Sequence, residues 1–258
     1  MVQIHSNAMV RPFTFVAALV LVGQMSVAKA ESLNPSRVHL VDADGSNLLF
    51  RGNMPTVNHS FAYSTLTNLL KQRAEAKGLI FPSNFSLVVV SFNNDFDGQD
   101  FKAEKAFWKQ HTPELGRLIN WPLGLAGIVP PKDVPSHERE KMANGSVWKI
   151  DKVPQRVVAL RQLLTTKAAR PTVIYVHCTA GCDRTGEVVG SYRLKFHPMI
   201  NVTQMYALDV AECGRPPNYW STMALEWFCI YMQENGRGDL TGCTDFAKCK
   251  FAGKCTPT

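Results

Sequence analysis

Hydrophobic and polar positions along this chain fall into two alternating kinds of segment. Leu87 to Phe92 (LVVVSF) and Thr172 to Val176 (TVIYV) are continuous apolar runs, the length of strands buried on both faces. Asn47-Leu-Leu-Phe-Arg51 reads as another short strand, closed by Gly52. Between the runs the spacing changes to three and four. Ser60 is placed to cap a helix running to Lys77, with Leu66, Leu69 and Leu70 on one face and Gly78 at its stop. Residues 99–110 carry helical spacing, and Leu118 to Asn120 is extended. Another helix is predicted from Pro154 to Lys167, turning Val157, Leu160, Leu163 and Leu164 inward, and further helices near 203–213 and 217–234. Residues 121–149, with Pro122, Pro130, Pro131 and Pro135, read as a long irregular stretch, and such stretches in compact domains are often functional. Strands alternating with helices predict an α/β domain built on a central, mostly parallel sheet flanked by helices.

Composition narrows the class. With 45% hydrophobic and 19% charged residues, the 258-residue chain is neither disordered nor collagen-like. The one long uncharged apolar stretch, Pro12 to Ala28, lies at the N-terminus, and its apolar core FTFVAALVLVG is short for a spanning helix of roughly 20 residues. Arg11 precedes it, and Ala28-Lys29-Ala30 supplies a small-x-small cleavage pattern, so residues 1–30 read as a secretory signal, an uncleaved anchor being the other use of such a segment. This predicts a secreted, lumenal or periplasmic protein with no stable membrane span after cleavage. The formal charge of +7 loses only Arg11 and Lys29 with that segment, and a positive balance favours an anionic substrate. Lys and Arg are scattered over helical stretches such as Lys71-Gln-Arg73, which speaks for solvated faces and against a nucleic-acid surface.

Seven cysteines, all after residue 177, then acquire meaning. In a secreted chain they indicate disulfides. Cys243, Cys249 and Cys255 make residues 236–258 a small cross-linked tail following a main domain at 31–235. A zinc site fails for want of a close C-x2-C pair or a neighbouring His. An odd count leaves at least one free thiol.

The chemistry concentrates in His177-Cys178-Thr179-Ala180-Gly181-Cys182-Asp183-Arg184-Thr185-Gly186, set between a buried strand and a helix start. A turn there aims backbone N–H groups at one point, and the helix N-terminus adds positive partial charge. Thr179, Ala180, Gly181, Cys182, Asp183, Arg184 and Thr185 are therefore the expected phosphate cradle. Gly181 supplies backbone geometry that a side chain would obstruct. The amides that attract phosphate also stabilise a Cys178 thiolate, Arg184 can hold two oxygens of a tetrahedral anion, and Thr185 can hydrogen-bond the sulfur.

This segment resembles the H-C-x-x-G-x-x-R-[ST]-G signature of the cysteine-based protein tyrosine and dual-specificity phosphatases. Its D-R-T-G ending is most similar to the branch that includes tyrosine, phosphoinositide and inositol-phosphate phosphatases. Leu49-Phe-Arg51-Gly52-Asn-Met-Pro55 is similar to the Y-R-[SG]-x-x-P opening of that branch, so the likeness covers roughly residues 40–200 in element order. The resemblance implies a phosphotyrosine-phosphatase-like fold and a metal-free, cofactor-free hydrolysis of phosphomonoesters in two steps. Cys178 attacks phosphorus, Arg184 and the loop amides hold the transition state, and water hydrolyses the phosphocysteine. His177, by the same resemblance, buttresses the cysteine. The implied partners are a phosphorylated protein, with phosphotyrosine first, or a phosphoinositide or inositol phosphate. A phosphate-binding module without turnover is the alternative, and an arsenate-reductase-like enzyme a more distant one.

The acid that protonates the leaving group is less clearly marked. Trp121-Pro122 resembles a W-P-D loop, but Leu123 stands where Asp would. Asp151, just before the helix that precedes the signature strand, is the first candidate, with helix N-capping its other use. Asp183 inside the loop is the second, and Asp133, Glu138 and His137 follow. Cys182 could bridge to Cys178 and switch it off, or pair with a distant cysteine. If Cys178 is the free thiol, the other six permit three bridges. Four sequons begin at Asn58, Asn84, Asn144 and Asn201. Arg237-Gly238-Asp239 is expected to be a polar turn, and Trp220, Trp227 and Phe228 core.

Overall fold

The computed structural model describes residues 33–124, 129–250 and 253–258, so the signal segment read at 1–30 lies outside the described residues. Five strands form the central sheet: β1 (His39–Asp44), β2 (Asn47–Asn53), β5 (Ser86–Ser91), β6 (Gly116–Asn120) and β7 (Thr172–Cys178). Two-stranded ribbons β3 (Thr56–Val57) with β4 (Ser60–Phe61), and β8 (Ala247–Cys249) with β9 (Cys255–Pro257), stand apart from it. The sheet order is β1-β2-β7-β5-β6, with β1 antiparallel to β2 and every other neighbour parallel. This is the expected α/β architecture with a mostly parallel sheet.

The seven helices among the described residues are α1 (Tyr63–Glu75), α2 (Gly98–His111), α3 (Ser136–Ala143), α4 (Val153–Thr165), α5 (Arg184–Phe196), α6 (Val202–Cys213) and α7 (Tyr219–Glu234). Strand alternation sorts them onto two faces. Val173 and Tyr175 of β7 join Leu66, Leu70 and Trp108 from α1 and α2. Ile174, Val176 and Cys178 point the other way, into a larger core with Val157 and Leu160 of α4, Val188 of α5, Met205 of α6 and Trp227 of α7. No helix among the described residues is long and apolar enough to cross a membrane.

Several local expectations are corrected. Ser60 does not cap α1; it pairs with Val57 in the β3–β4 hairpin, so the helix begins two residues later than such a cap would start it, with Ala62 at its N-cap. The 121–149 stretch contains α3 and two 3-10 turns, Pro131–Asp133 and Ser146–Trp148. The polar run Ser136–Ala143 has no apolar stripe to announce a helix, and Pro135 sets its start. Trp227 and Phe228 are buried as expected, whereas Trp220 is 40% exposed. The Arg237-Gly238-Asp239 turn closes on itself as an ion pair, with Arg237 also donating to the Leu194 carbonyl. Disulfides join Cys229 to Cys243 and Cys249 to Cys255, and Leu240 and Phe246 of the tail pack into the larger core.

Parallel pairing decides where chemistry can occur. Strands β2, β7, β5 and β6 all end at one edge, where open α/β sheets place their ligand crevice. The segments after Asn53, Ser91, Asn120 and Cys178 are therefore neighbours despite their distance in sequence.

Candidate active site

Cys178 ends β7 with 2% of its surface exposed, and it is the free cysteine among the described residues. The chain then turns through Thr179 to Asp183 before α5 begins at Arg184. Successive carbonyls of this turn are gripped from outside. His177 Nδ1 lies 3.3 Å from the Cys178 oxygen, and the Met54 amide donates to Thr179 O at 3.1 Å. Arg37 Nη1 donates to Ala180 O at 2.9 Å, and Arg51 Nη2 to Gly181 O at 3.0 Å. In a trans peptide the carbonyl and the following N–H point in opposite directions, so carbonyls held outward turn the next amides inward. The Gly181 N–H accordingly donates to Cys178 Sγ at 3.3 Å. Asp183 stands at the N-cap of α5 without capping it through its side chain, so the helix's first amides also face the turn.

Gly181 is required here for two reasons. Its φ of +75° is the left-handed conformation that favours glycine, and a Cβ would stand 2.4 Å from the Gly52 carbonyl oxygen. Gly52 is equally constrained, since its Cβ would meet the Tyr175 hydroxyl at 2.1 Å. The turn thus rests directly on the end of β2.

Arg184 closes the loop with an occupied fork. Its Nη1 and Nη2 donate to Asp97 Oδ2 and Oδ1, both at 2.8 Å, and Nη1 also reaches Phe92 O at 3.1 Å. Thr179 Oγ1 donates to Asp97 Oδ1 at 3.2 Å. Burial works to raise the Asp97 pKa, but the hydrogen bonds and charge of Arg184, with help from the Asn94 amide and Thr179, outweigh it and hold the carboxyl below its ordinary value. Asp97 is therefore a fixed anion that orients the guanidinium. Sequence reading missed it. The signal was its place in Asn93-Asn-Asp-Phe-Asp97, directly after a buried strand that neighbours β7.

A second unanticipated partner lies one step back along β7. His177 and Glu104 are both fully buried, with Nε2 2.9 Å from Glu104 Oε1. Asp97 and Glu104 sit seven residues apart, at the N-cap and inside α2, so one helix serves both ends of the loop.

The expected acids separate. Asp151 is 2% exposed and its Oδ1 accepts the Gly124 N–H at 3.1 Å, which brings it beneath the Trp121-Pro122-Leu123-Gly124 segment at the end of β6. Its charge is felt by Glu187, one turn after Arg184, whose pKa is pushed well above the carboxylate range by burial and then by Asp151. Asp183 is held by Arg215 at 2.8 and 2.7 Å and by the Asn218 amide at 2.8 Å, leaving little of it for a substrate. Asp133 raises the pKa values of Tyr219 and Glu226, which places its charge beside α7. His137 and Glu138 are exposed and face each other. Thr185 Oγ1 is buried without a partner, so its expected hydrogen bond to the sulfur is not made. Cys182 is bridged to Cys213 of α6, not to Cys178. Among the described residues no group of three or more His, Cys, Asp or Glu could hold a metal ion.

No family model matches the chain, and no curated protein does. Among solved structures, a DUF442 protein of Shewanella putrefaciens is 16% identical with a TM-score of 0.38, over 75% of this chain and 94% of its own. TpbA of P. aeruginosa, solved in complex with pTyr, is 17% identical with a TM-score of 0.31, over 73% of this chain and 79% of its own. A protein tyrosine phosphatase of Trypanosoma brucei is 14% identical with a TM-score of 0.35, over 80% and 75%. At such scores these likenesses bear no weight on the chemistry, which rests on residues 177–186 and what holds them.

Proposed function

We propose that the protein is a secreted or lumenal cysteine-dependent phosphatase, with a catalytic domain at 31–235 and a disulfide-linked tail at 236–258. The observation that carries this reading is the loop itself: carbonyls held outward, amides turned in, a free thiol at one end and an oriented guanidinium at the other. Such a cradle fits a tetrahedral dianion and supplies an in-line nucleophile.

In the first step the Cys178 sulfur forms a bond to phosphorus while the ester P–O bond breaks. Arg184 and the amides of Thr179 to Thr185 take the equatorial oxygens, and the leaving oxygen receives a proton from Asp151. In the second step water attacks phosphorus, the S–P bond breaks, and Asp151 takes back a proton from that water. Asp97, ion-paired to Arg184 and held below its ordinary pKa, is assigned to orienting the guanidinium and not to proton transfer. Neither step calls for a metal.

A phosphotyrosine-bearing protein is the first-choice substrate, and a phosphoinositide or inositol phosphate the second. Phe96 favours the aryl ester: its ring is 94% exposed and it adjoins Asp97, one residue from the contact that orients Arg184. An aromatic side chain at the rim stacks on an aryl group and gives a cyclitol little.

The deciding experiment is hydrolysis of p-nitrophenyl phosphate with EDTA present, comparing the wild type with Cys178→Ser. Turnover by the wild type and its loss by at least about 10³-fold in the serine variant is the expected result. Folded, reduced wild type without turnover would replace the enzyme with a phosphate-binding module.

A further inference from the structure

We propose that Glu104 is a positioning residue for the nucleophile, acting through His177. The proposal deepens the phosphatase reading, but it concerns the reactivity of Cys178 and can be tested without turnover.

His177 alternates with Cys178 along β7, so its ring enters the α1–α2 face while the thiol stays on the other. The ring is fully buried, stacks on Tyr175 at 5.6 Å between centroids, and has two polar neighbours. Nδ1 faces the Cys178 carbonyl and Nε2 faces Glu104. A carbonyl oxygen only accepts, so the contact at Nδ1 requires a hydrogen there. With hydrogen on Nδ1, Glu104 satisfies Nε2 as an ion accepting from Nε2–H of an imidazolium, or as an acid donating to the bare Nε2 of a neutral ring. In both states the hydrogen on Nδ1 is kept, and the carboxyl group anchors the far nitrogen so that Nδ1 stays on the loop.

That hydrogen is the first link in the series of outward grips. Holding the Cys178 carbonyl outward directs the Thr179 N–H inward, beside the sulfur, as the Met54 amide, Arg37 and Arg51 do for the next three peptides. Glu104 Oε2 has no partner though it is buried, a cost to stability that packing alone does not require. Leucine fills similar space without that cost. A carboxyl group retained at such a place points to a role beyond the core.

The test has two arms. In the wild type at pH 7, imidazole ¹⁵N shifts assigned with His177→Gln should show hydrogen on Nδ1 of His177. In Glu104→Leu, iodoacetamide alkylation of Cys178 and kcat for an aryl phosphate should both fall by about tenfold with KM little changed, the size of effect that losing a supporting hydrogen bond has on a site. Glu104→Gln, whose amide can donate to Nε2, should restore most of both. A purely structural Glu104 would alter the melting temperature and leave alkylation of the folded protein within twofold of wild type. That result, or a bare Nδ1 in the wild type, overturns the proposal. The imidazole measurement stands even if Glu104→Leu does not fold, and the alkylation arm stands even if no phosphatase activity is found.

Discussion

The loop proposed to hold phosphate is gripped from two sides by different means. On the α2 side the contact with Arg184 is partly open to water, Asp97 and Arg184 having side-chain exposures of 17% and 21%, while the Glu104–His177 pair behind it is buried. On the α6 side they are buried and in one place covalent. Arg51, fully buried, pairs with Asp209 and Glu212 of α6 while donating to Gly181 O, and Cys182 is bridged to Cys213 at the end of the same helix. Arg193 of α5 completes the network, at 2.6 and 3.0 Å from Glu212. Burial raises Asp209 to about 6, against the pull of Arg51 and Arg193. For the proposed phosphatase the difference has a mechanical sense. The back of a phosphate cradle must not move when an anion enters, whereas the guanidinium in front must exchange contacts with each substrate. Buried charge and a disulfide suit the first task, and a partly hydrated ion pair suits the second.

The largest expected effect lies at the back. Arg51→Leu leaves two carboxylates to Arg193 alone and frees the Gly181 carbonyl. Removing one partner of a buried ion pair costs about 3–5 kcal/mol, and that loss should appear in urea unfolding at pH 7. A variant within 1 kcal/mol of wild type would mean that α6 carries far less of the loop than the contacts indicate. Next is the bridge. Cys213→Ser opens a link spanning 31 residues, at a cost of about 2–4 kcal/mol. It also frees Cys182, four residues from Cys178, to form the Cys178–Cys182 disulfide that the bridge to α6 prevents. Turnover by Cys213→Ser should then depend on a reductant, and that of Cys182→Ser/Cys213→Ser should not. Equal dependence in both variants would show that Cys182 is no threat to Cys178.

The two sides also differ in how far they could be read from the sequence. Strands β5 and β7 announce themselves as continuous apolar runs, and the turn after β7 is marked by ten consecutive residues, so the sheet and the place of that loop were legible. Strand β1 was not, because His39–Asp44 is a half-exposed edge mixing apolar and acidic residues. Helix α1 was placed early because Ser60 is a plausible cap in isolation, and only the pairing with Val57 shows that it belongs to a hairpin. What holds the loop was legible only where a motif marks it, as at Arg51. Asp97 lies 87 residues from Arg184, Glu104 73 from His177, and Cys213 31 from Cys182. No local pattern ties such pairs together. They meet because parallel strands bring their ends to one edge, and that follows from strand order, which periodicity does not encode.

The smallest effect sharpens the front of the comparison. Because Arg184 holds Asp97 below its ordinary pKa, the pair contributes stability that is fully present above the unfolded value near 3.8 and is lost as pH falls through the lower folded value. Asp97→Asn should therefore flatten the acid end of a pH–stability curve below about pH 4 and leave the region from pH 5 to 8 unchanged in shape. On activity, a loosened Arg184 should lower kcat/KM by about tenfold, and by the same factor for aryl and alkyl phosphates, since no proton transfer is lost. Asp151→Asn should behave differently, sparing p-nitrophenyl phosphate and penalising the alkyl ester, whose leaving oxygen needs the proton. If instead Asp97→Asn discriminates between leaving groups and Asp151→Asn does not, the proton donor sits on the α2 side. The front of the loop would then supply both orientation and acid, and Asp151 would be left as a support for the Trp121–Gly124 segment.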